Sequence, residues 1–263
     1  MNFLEGEVLY FDKPLYWTSF KLVKIVRTRI SRKLKIKKIK VGHAGTLDPL
    51  ASGVMIICTG KATKLIESFQ YQTKEYVATL QLGATTPSFD RETEIDGVYP
   101  TEHITRERVE EVLNSFVGTI QQIPPVFSAC KVDGKRAYEL ARKGEEVELK
   151  SKTLKIDGRR AYDFARKGED VELKAKELVI DEIELLEYQS DIIKIRVVCS
   201  KGTYIRALAR DIGQALGSGA HLIGLVRTRV GDVRLEDCLQ VDQIDELVEK
   251  AVVAEVDNKE EIK

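Results

Sequence analysis

The chain has 263 residues, 43% hydrophobic and 32% charged, with 42 basic side chains against 42 acidic ones. That length supports one large core or two modest ones, so one catalytic domain with an insertion or a small appendage is expected. No run of about 18 apolar residues is present to cross a membrane, the acidic start MNFLEGEVLYFDKP is unlike a signal peptide, and four scattered cysteines (Cys58, Cys130, Cys199, Cys238) suit reduced thiols in a cytoplasm; with three histidines, no metal centre is expected.

In chain order, the first notable element is a basic run, Lys21 to Lys40, with ten Lys or Arg and no acid. Its pattern predicts a helix with Leu22, Ile25, Val26 and Ile30 inward. A basic outer face can be merely solvated, but the missing counter-charge favours an anionic partner, of which a nucleic-acid backbone is the commonest. GVMIICTG (Gly53 to Gly60) reads as a buried strand. YVATLQL (Tyr76 to Leu82) alternates, with Tyr76, Ala78, Leu80 and Leu82 on one face, and IIKIRVVCS (Ile192 to Ser200) alternates again. Helices are predicted over Ile104 to Phe116, with Val109, Val112, Leu113 and Phe116 on one face and Gly118 as a stop, and from near Tyr204, with Ile205, Leu208, Ile212 and Leu216 inward and Gly217 as its cap. The acidic tail, Glu236 to Lys263, holds ten acids against three Lys, and its Asp242 to Val256 stretch predicts one amphipathic helix whose final residues fray. Strands without intervening helices point to an α+β fold around a mixed, largely antiparallel sheet flanked by helices.

Between these elements the chain repeats itself. Lys131 to Leu154 and Lys155 to Leu178 are identical at 17 of 24 positions. Two copies cannot bury the continuous face of a solenoid, so the repetition reads as an insertion.

VGHAGTLDPLASGV (Val41 to Val54) carries the most chemistry. Gly42 and Gly45 permit an unusual loop, and Pro49 holds Asp48 extended. Asp48 can serve as a local backbone acceptor in a turn; flanked by Leu47 and Leu50, it can equally be a half-buried carboxylate that requires a partner. Arg206, in CSKGTYIRALARDIG, is able to supply a bidentate guanidinium, and is also readable as an ordinary residue of a first helical turn. The sequence leaves both pairs of readings open.

GHAGTLDPLASGV, the KEY triplet containing Tyr76, QIPPVFSACKVDGKRAYELARKG, CSKGTYIRALARDIG and GAHLIGLVRTRVG occur in an order and spacing that resemble the TruB-type bacterial tRNA pseudouridine synthases, from about Phe3 to Val233. The resemblance implies the pseudouridine synthase fold with a mobile thumb insertion. It also implies isomerisation of uridine 55 in the tRNA T-loop after base flipping, without cofactor or metal. It assigns Asp48 as the attacking carboxylate, Tyr76 as the tyrosine stacked on the uracil, Arg206 as the arginine paired with the aspartate, and Tyr204 as its neighbour. His43, Gly42, Lys64, Asp90, Leu225, Lys13 and Lys131 become RNA- or substrate-binding positions. A carboxylate nucleophile kept ionised and a pocket that retains the detached base suffice for such a reaction. Attack at uracil C6 and at ribose C1′ remain alternatives.

The implied organisation is a catalytic domain over 1–235, containing a thumb region at 124–178, and an acidic tail at 236–263. The first repeat keeps the thumb's entry, PPVFSAC, and the second its return, KELVIDEIELLEY. Three departures from the family pattern stand out: Tyr16 replaces a glycine in KPLYWTS, the glycine after Asp90 is displaced, and Val226 replaces a common arginine. If the replaced glycine needs a positive φ, Tyr16 strains its turn by about 1–2 kcal/mol. Expected partners are the T-stem loop of tRNA and no guide RNA or membrane, with the protein a cytoplasmic monomer. The alternative function is a tRNA-folding chaperone with weak or lost catalysis; an unrelated enzyme using Asp48 as general base is a third reading.

Overall fold

The computed structural model describes residues 1–125, 131–132, 135–136 and 175–250. Expectations about the thumb and its duplication, and about the tail past residue 250, lie largely outside the described residues. In chain order the elements are β1 (Val8–Lys13), α1 (Ser19–Lys33), β2 (Val41–His43), β3 (Ala51–Thr59), α2 (Ile66–Tyr71), β4 (Lys74–Leu82), β5 (Ala84–Thr85), β6 (Gly97–Val98), α3 (Arg106–Ser115) and β7 (Gly118–Gln122). There follow β8 (Lys131–Val132), β9 (Lys135–Arg136), β10 (Lys176–Gln189), β11 (Ile192–Cys199), α4 (Ile205–Ala215), β12 (Ala220–Val230), β13 (Val233–Arg234) and α5 (Ile244–Glu249). The chain divides into two units, one of Met1–Gln72 with Arg227–Lys263 and one of Thr73–Val226.

In the first unit β3 is the central strand. It pairs antiparallel with β1, Val8 opposite Cys58 through Lys13 opposite Gly53, and with β2, Val41 opposite Thr59. Its run from Gly53 to Thr59 is buried throughout, as the continuous apolar reading of GVMIICTG requires. The outer edge of β1 is covered by the returning chain, where Leu239 N–H donates to Tyr10 O and Asp12 N–H to Leu239 O, which removes an open edge. Helix α1 starts behind Thr18, whose hydroxyl accepts from Lys21 N–H, and buries Ser19, Leu22, Val23, Val26 and Ile30. Val23 therefore takes the inward place expected for Ile25, which is half-buried; positions 19, 22, 23, 26 and 30 form one i, i+3, i+4, i+7 stripe, and residue 25 sits at its margin.

In the second unit β4, β11, β10 and β7 form an antiparallel ladder in that order, with the start of β12 beside β4. Ala78, Leu80 and Leu82 of β4 pack with Ile193, Ile195 and Val197 of β11 under the inner faces of α3 (Val109, Val112, Leu113) and α4 (Leu208, Ile212). Each fully buried aliphatic side chain of this set contributes about 1.5–3 kcal/mol. Helix α4 starts and stops where the sequence predicts, with Tyr204 the residue before it and Gly217 at φ 70° just past its end. Helix α3 is slightly shorter than expected, running from Arg106 behind the Thr105 cap to Ser115, and Gly118 opens β7. The mixed α+β architecture is as expected. Of the expected tail helix, Ile244–Glu249 is α-helical behind a short 3₁₀ turn, and its expected stretch past residue 250 lies outside the described residues. Among the described residues no helix is long and apolar enough to cross a membrane.

Candidate active site

Asp48 lies in the loop between β2 and β3, and the loop is fixed residue by residue. Ser19 Oγ donates to Leu47 O (2.8 Å) and accepts from Leu47 N–H (2.9 Å), at a site 4% exposed. On the other side of Asp48, Tyr16 N–H donates to Pro49 O at 2.7 Å, and Ala51 N–H returns to Asp48 O at 3.1 Å. From below, Arg227 Nε donates to Val54 O (2.8 Å) and its Nη2 to Gly45 O (3.3 Å). The closeness of that strand explains Gly53: its φ is +105°, and a Cβ there would fall 2.2 Å from Arg227 O.

The KPLYWTS turn supplies two of these clamps, and Lys13 holds the turn. Lys13 is 0% exposed and its Nζ donates to Pro14 O (2.9 Å) and Trp17 O (2.7 Å). Burial brings its pKa down to about 8, with Arg227 pushing the same way and the carboxylates of Asp48 and Asp12 opposing. Lys13, expected among the RNA-binding positions, thus has no surface to offer RNA. It instead braces the turn that presents Asp48 and places a cation near that carboxylate. Tyr16 has φ 64°, the left-handed conformation for which the family's glycine is suited.

His43 and Gly42 belong to β2, in register with Ile57 and Cys58. Gly42 faces Ile66, whose Cδ1 would lie 2.6 Å from an added Cβ. Lys64 is exposed on the 3₁₀ turn after β3. These three residues share the first unit with Asp48.

The second unit holds Tyr76, Asp90, Tyr204, Arg206 and Leu225. Arg206 is buried at the start of α4, and its Nη1 lies 3.4 Å from Asp90 Oδ2 and donates to Ser88 O at 3.3 Å. Asp90 is held in turn by Ser88 Oγ (2.7 Å) and Glu92 N–H (2.9 Å). Phe89, between these two acceptors, has φ 62°, so a strained backbone residue aims both at one guanidinium. Its ring carries the Arg210 guanidinium at 4.8 Å. Tyr204 is set by Gln122, 1% exposed, whose amide accepts from Tyr204 N–H (2.9 Å) and donates to Tyr204 O (3.2 Å). Tyr76, opposite Val197 on β4, and Leu225 of β12 are partly buried against the same apolar cluster. Lys131 lies in β8, its backbone paired with Arg136.

Sequence reasoning missed Ser19, Gln122 and Arg227 as positioning residues. Arg227 had a legible signal, a charged side chain inside the apolar strand LIGLVRTRV; Ser19 and Gln122 act through backbone atoms far away in the chain and had none. Among the described residues no group of three or more His, Cys, Asp or Glu side chains is arranged to hold a metal ion.

One unit thus carries Asp48 on a pinned loop, and the other carries the buried Arg206 together with Tyr76 and Tyr204. The model for the N-terminal domain of the TruB family pseudouridylate synthases matches residues 31–157 and again 153–205, and the tRNA pseudouridylate synthase B C-terminal domain model matches 206–260. The two N-terminal matches meet at the junction between the repeated segments. The chain is 70% identical over 259 residues to the tRNA pseudouridine synthase B of Phocaeicola vulgatus, covering 98% of this chain and 100% of the relative. It is 68% identical over 253 residues to that of Parabacteroides distasonis, covering 96% and 97%. Among solved structures it resembles a chain of a Cbf5-Nop10-Gar1 complex, with TM-score 0.60 and 27% identity over 93% of this chain; it spans 55% of that protein's length. The chain belongs to the TruB family, and is accordingly a tRNA pseudouridine synthase, an RNA-binding isomerase.

Proposed function

We propose that the chain converts the T-loop uridine at position 55 of tRNA to pseudouridine, with Asp48 as nucleophile. The observation that carries this reading is the threefold pinning of the Asp48 loop by Ser19, Tyr16 and Arg227, beside a buried lysine. A loop fixed at both neighbours of one carboxylate delivers that carboxylate in a single orientation. In the reaction the N1–C1′ bond breaks, the uracil turns, a C5–C1′ bond forms, and the proton lost from C5 is balanced by one gained at N1, so composition and oxidation state are unchanged. Asp48 adds to C6 or to C1′; either path needs it ionised, and the positive charge of Lys13 favours that state. The resemblance gives Arg206 the part of its partner, Tyr76 that of the stacking ring that removes the C5 proton, and Tyr204 and Leu225 the walls of the base pocket. A folded T-loop hides its bases, hence the flipped uridine and aromatic platform. His43, Gly42, Lys64 and Lys131 are assigned to RNA, and Asp90 to holding Arg206.

The protein acts on tRNA without a guide RNA or cofactor, as a cytoplasmic monomer. The alternative, a tRNA-folding chaperone without turnover, is not favoured, because relatives at 68% and 70% identity are named synthases. Incubation of the full chain with T-arm RNA, read by carbodiimide primer extension or mass spectrometry, tests the function. Conversion by the wild-type chain and none by Asp48→Asn, with RNA binding kept, is the expected result. Turnover by Asp48→Asn would remove Asp48 from the mechanism.

A further inference from the structure

The basic run divides into two parts once its neighbours are known. Four of its ten cations are engaged: Lys21 lies 3.9 Å over the Trp17 ring, Arg27 Nη2 donates to Val41 O, and Arg29 and Lys33 pair with Asp245 and Glu249 of acidic α5. The other six are exposed, and none of them forms an ion pair among the described residues. Of these, Lys35, Lys37, Lys38 and Lys40 follow one another on the connection from α1 to β2, the strand that leads into the Asp48 loop.

That connection is ordered by backbone bonds. Leu34 ends α1; Lys35 N–H donates to Arg32 O (3.2 Å) and Ile36 N–H to Ser31 O (3.1 Å), the pair of bonds that defines a Schellman motif. Lys35 occupies its left-handed position with φ 53°, where glycine is the least strained residue. Ile39 is 4% exposed and Lys40 O accepts from Gly60 N–H at 2.9 Å, so both ends of the segment are fixed. A helix dipole accounts for cations in the last turn of α1 but fades beyond it, and Lys37, Lys38 and Lys40 lie beyond it.

We propose that Lys35, Lys37, Lys38 and Lys40 form a phosphate-binding ridge that grips the sugar-phosphate backbone of the tRNA delivered to Asp48. The proposal rests on the synthase reading and extends its RNA footprint to a surface that α5 leaves open. Backbone contacts of this kind position a nucleic acid without reading its sequence, and each releases counterions, so their number appears in the salt dependence of binding.

The test is equilibrium binding of unmodified tRNA to the full chain, by anisotropy, from about 50 to about 200 mM salt. Lys37→Ala/Lys38→Ala should flatten the plot of log K against log salt by about 1–2 units and weaken binding roughly tenfold at the lower salt. Lys35→Gly should also weaken binding while its melting temperature stays level or rises, because it relieves the left-handed backbone; a purely structural role would lower it. Wild-type slope and affinity in both variants would overturn the ridge. The conversion assay is a separate arm: a wild-type chain that makes no pseudouridine sinks the synthase reading, whereas an unchanged slope in a converting chain sinks only the ridge.

Discussion

Ser19 Oγ holds both polar atoms of the Leu47 peptide, at 2.8 and 2.9 Å, one residue before Asp48. Because Thr18 caps α1, the Ser19 hydroxyl is left for the loop. Ser19→Ala leaves two buried backbone groups without this partner, a loss of about 1–3 kcal/mol in stability. It also frees the residue next to the nucleophile, where a shift of about 1 Å can slow a reaction up to 10²-fold. The expected outcome is a single-turnover rate on T-arm RNA reduced roughly 10- to 100-fold with RNA affinity unchanged, and substantial recovery in Ser19→Thr. An unchanged rate in a folded Ser19→Ala would show that the clamp does not position Asp48.

Tyr16 is the complementary case, a residue whose side chain works against its backbone. Its ring is 74% exposed while its φ is 64°, so the ring returns little packing for the strain. Restoring glycine removes about 1–2 kcal/mol of left-handed strain and costs about 0.5–1 kcal/mol in backbone entropy. Tyr16→Gly is therefore expected to raise the melting temperature by about 2 °C, with the N–H to Pro49 intact, while Tyr16→Ala keeps the strain and gains nothing. Equal melting temperatures for the two variants would refute strain as the cause.

The same motif shows what a sequence discloses. The strain at Tyr16 was legible because a residue type, glycine, reports directly on a backbone conformation. Helices α3 and α4 were legible because apolar residues spaced three and four apart state their period, and for α4 Gly217 also states the end. Strand β10 was harder: register shifts between Ile180 and Glu182 and between Leu185 and Glu187 break its alternation, so no single period of two runs through its 14 residues. Strand β12 carries buried His221 and Arg227, which disguise a core strand as a polar segment. Lys13 looked like an RNA contact because its burial depends on strands β1 and β3 coming together, which its neighbours in sequence do not reveal.

Arg206 and Asp90 are both nearly buried, with side chains 6% and 5% exposed. Removing one member of such a pair leaves a charge poorly compensated, at a cost of about 3–5 kcal/mol, far above that of a surface ion pair. Asp90→Ala should lower stability by that order, and a double-mutant cycle with Arg206→Met should return a coupling of about 1–3 kcal/mol. Asp90→Asn, which preserves shape, should fold and still slow conversion, because the guanidinium loses its charged anchor. Additive stability effects in the cycle would show that the two side chains act independently.

Lys13 ties stability to pH. Its pKa is about 8 in the folded chain against 10.5 for an ordinary lysine, chiefly through burial. The folded state therefore releases this proton first. Below about pH 8 both states are protonated and the full cost of burying the ammonium is present; between about 8 and 10.5 the unfolded chain holds more protons, so this group makes stability rise with pH. Lys13→Met has no such group. The difference in unfolding free energy, wild type minus Lys13→Met, should accordingly climb from pH 8 to 10 and stay flat from pH 6 to 7.5, by urea denaturation at each pH. A flat difference across the alkaline range would mean that Lys13 titrates like an exposed lysine, and that its two carbonyl partners and the Asp48 charge hold the ammonium more firmly than burial disfavours it.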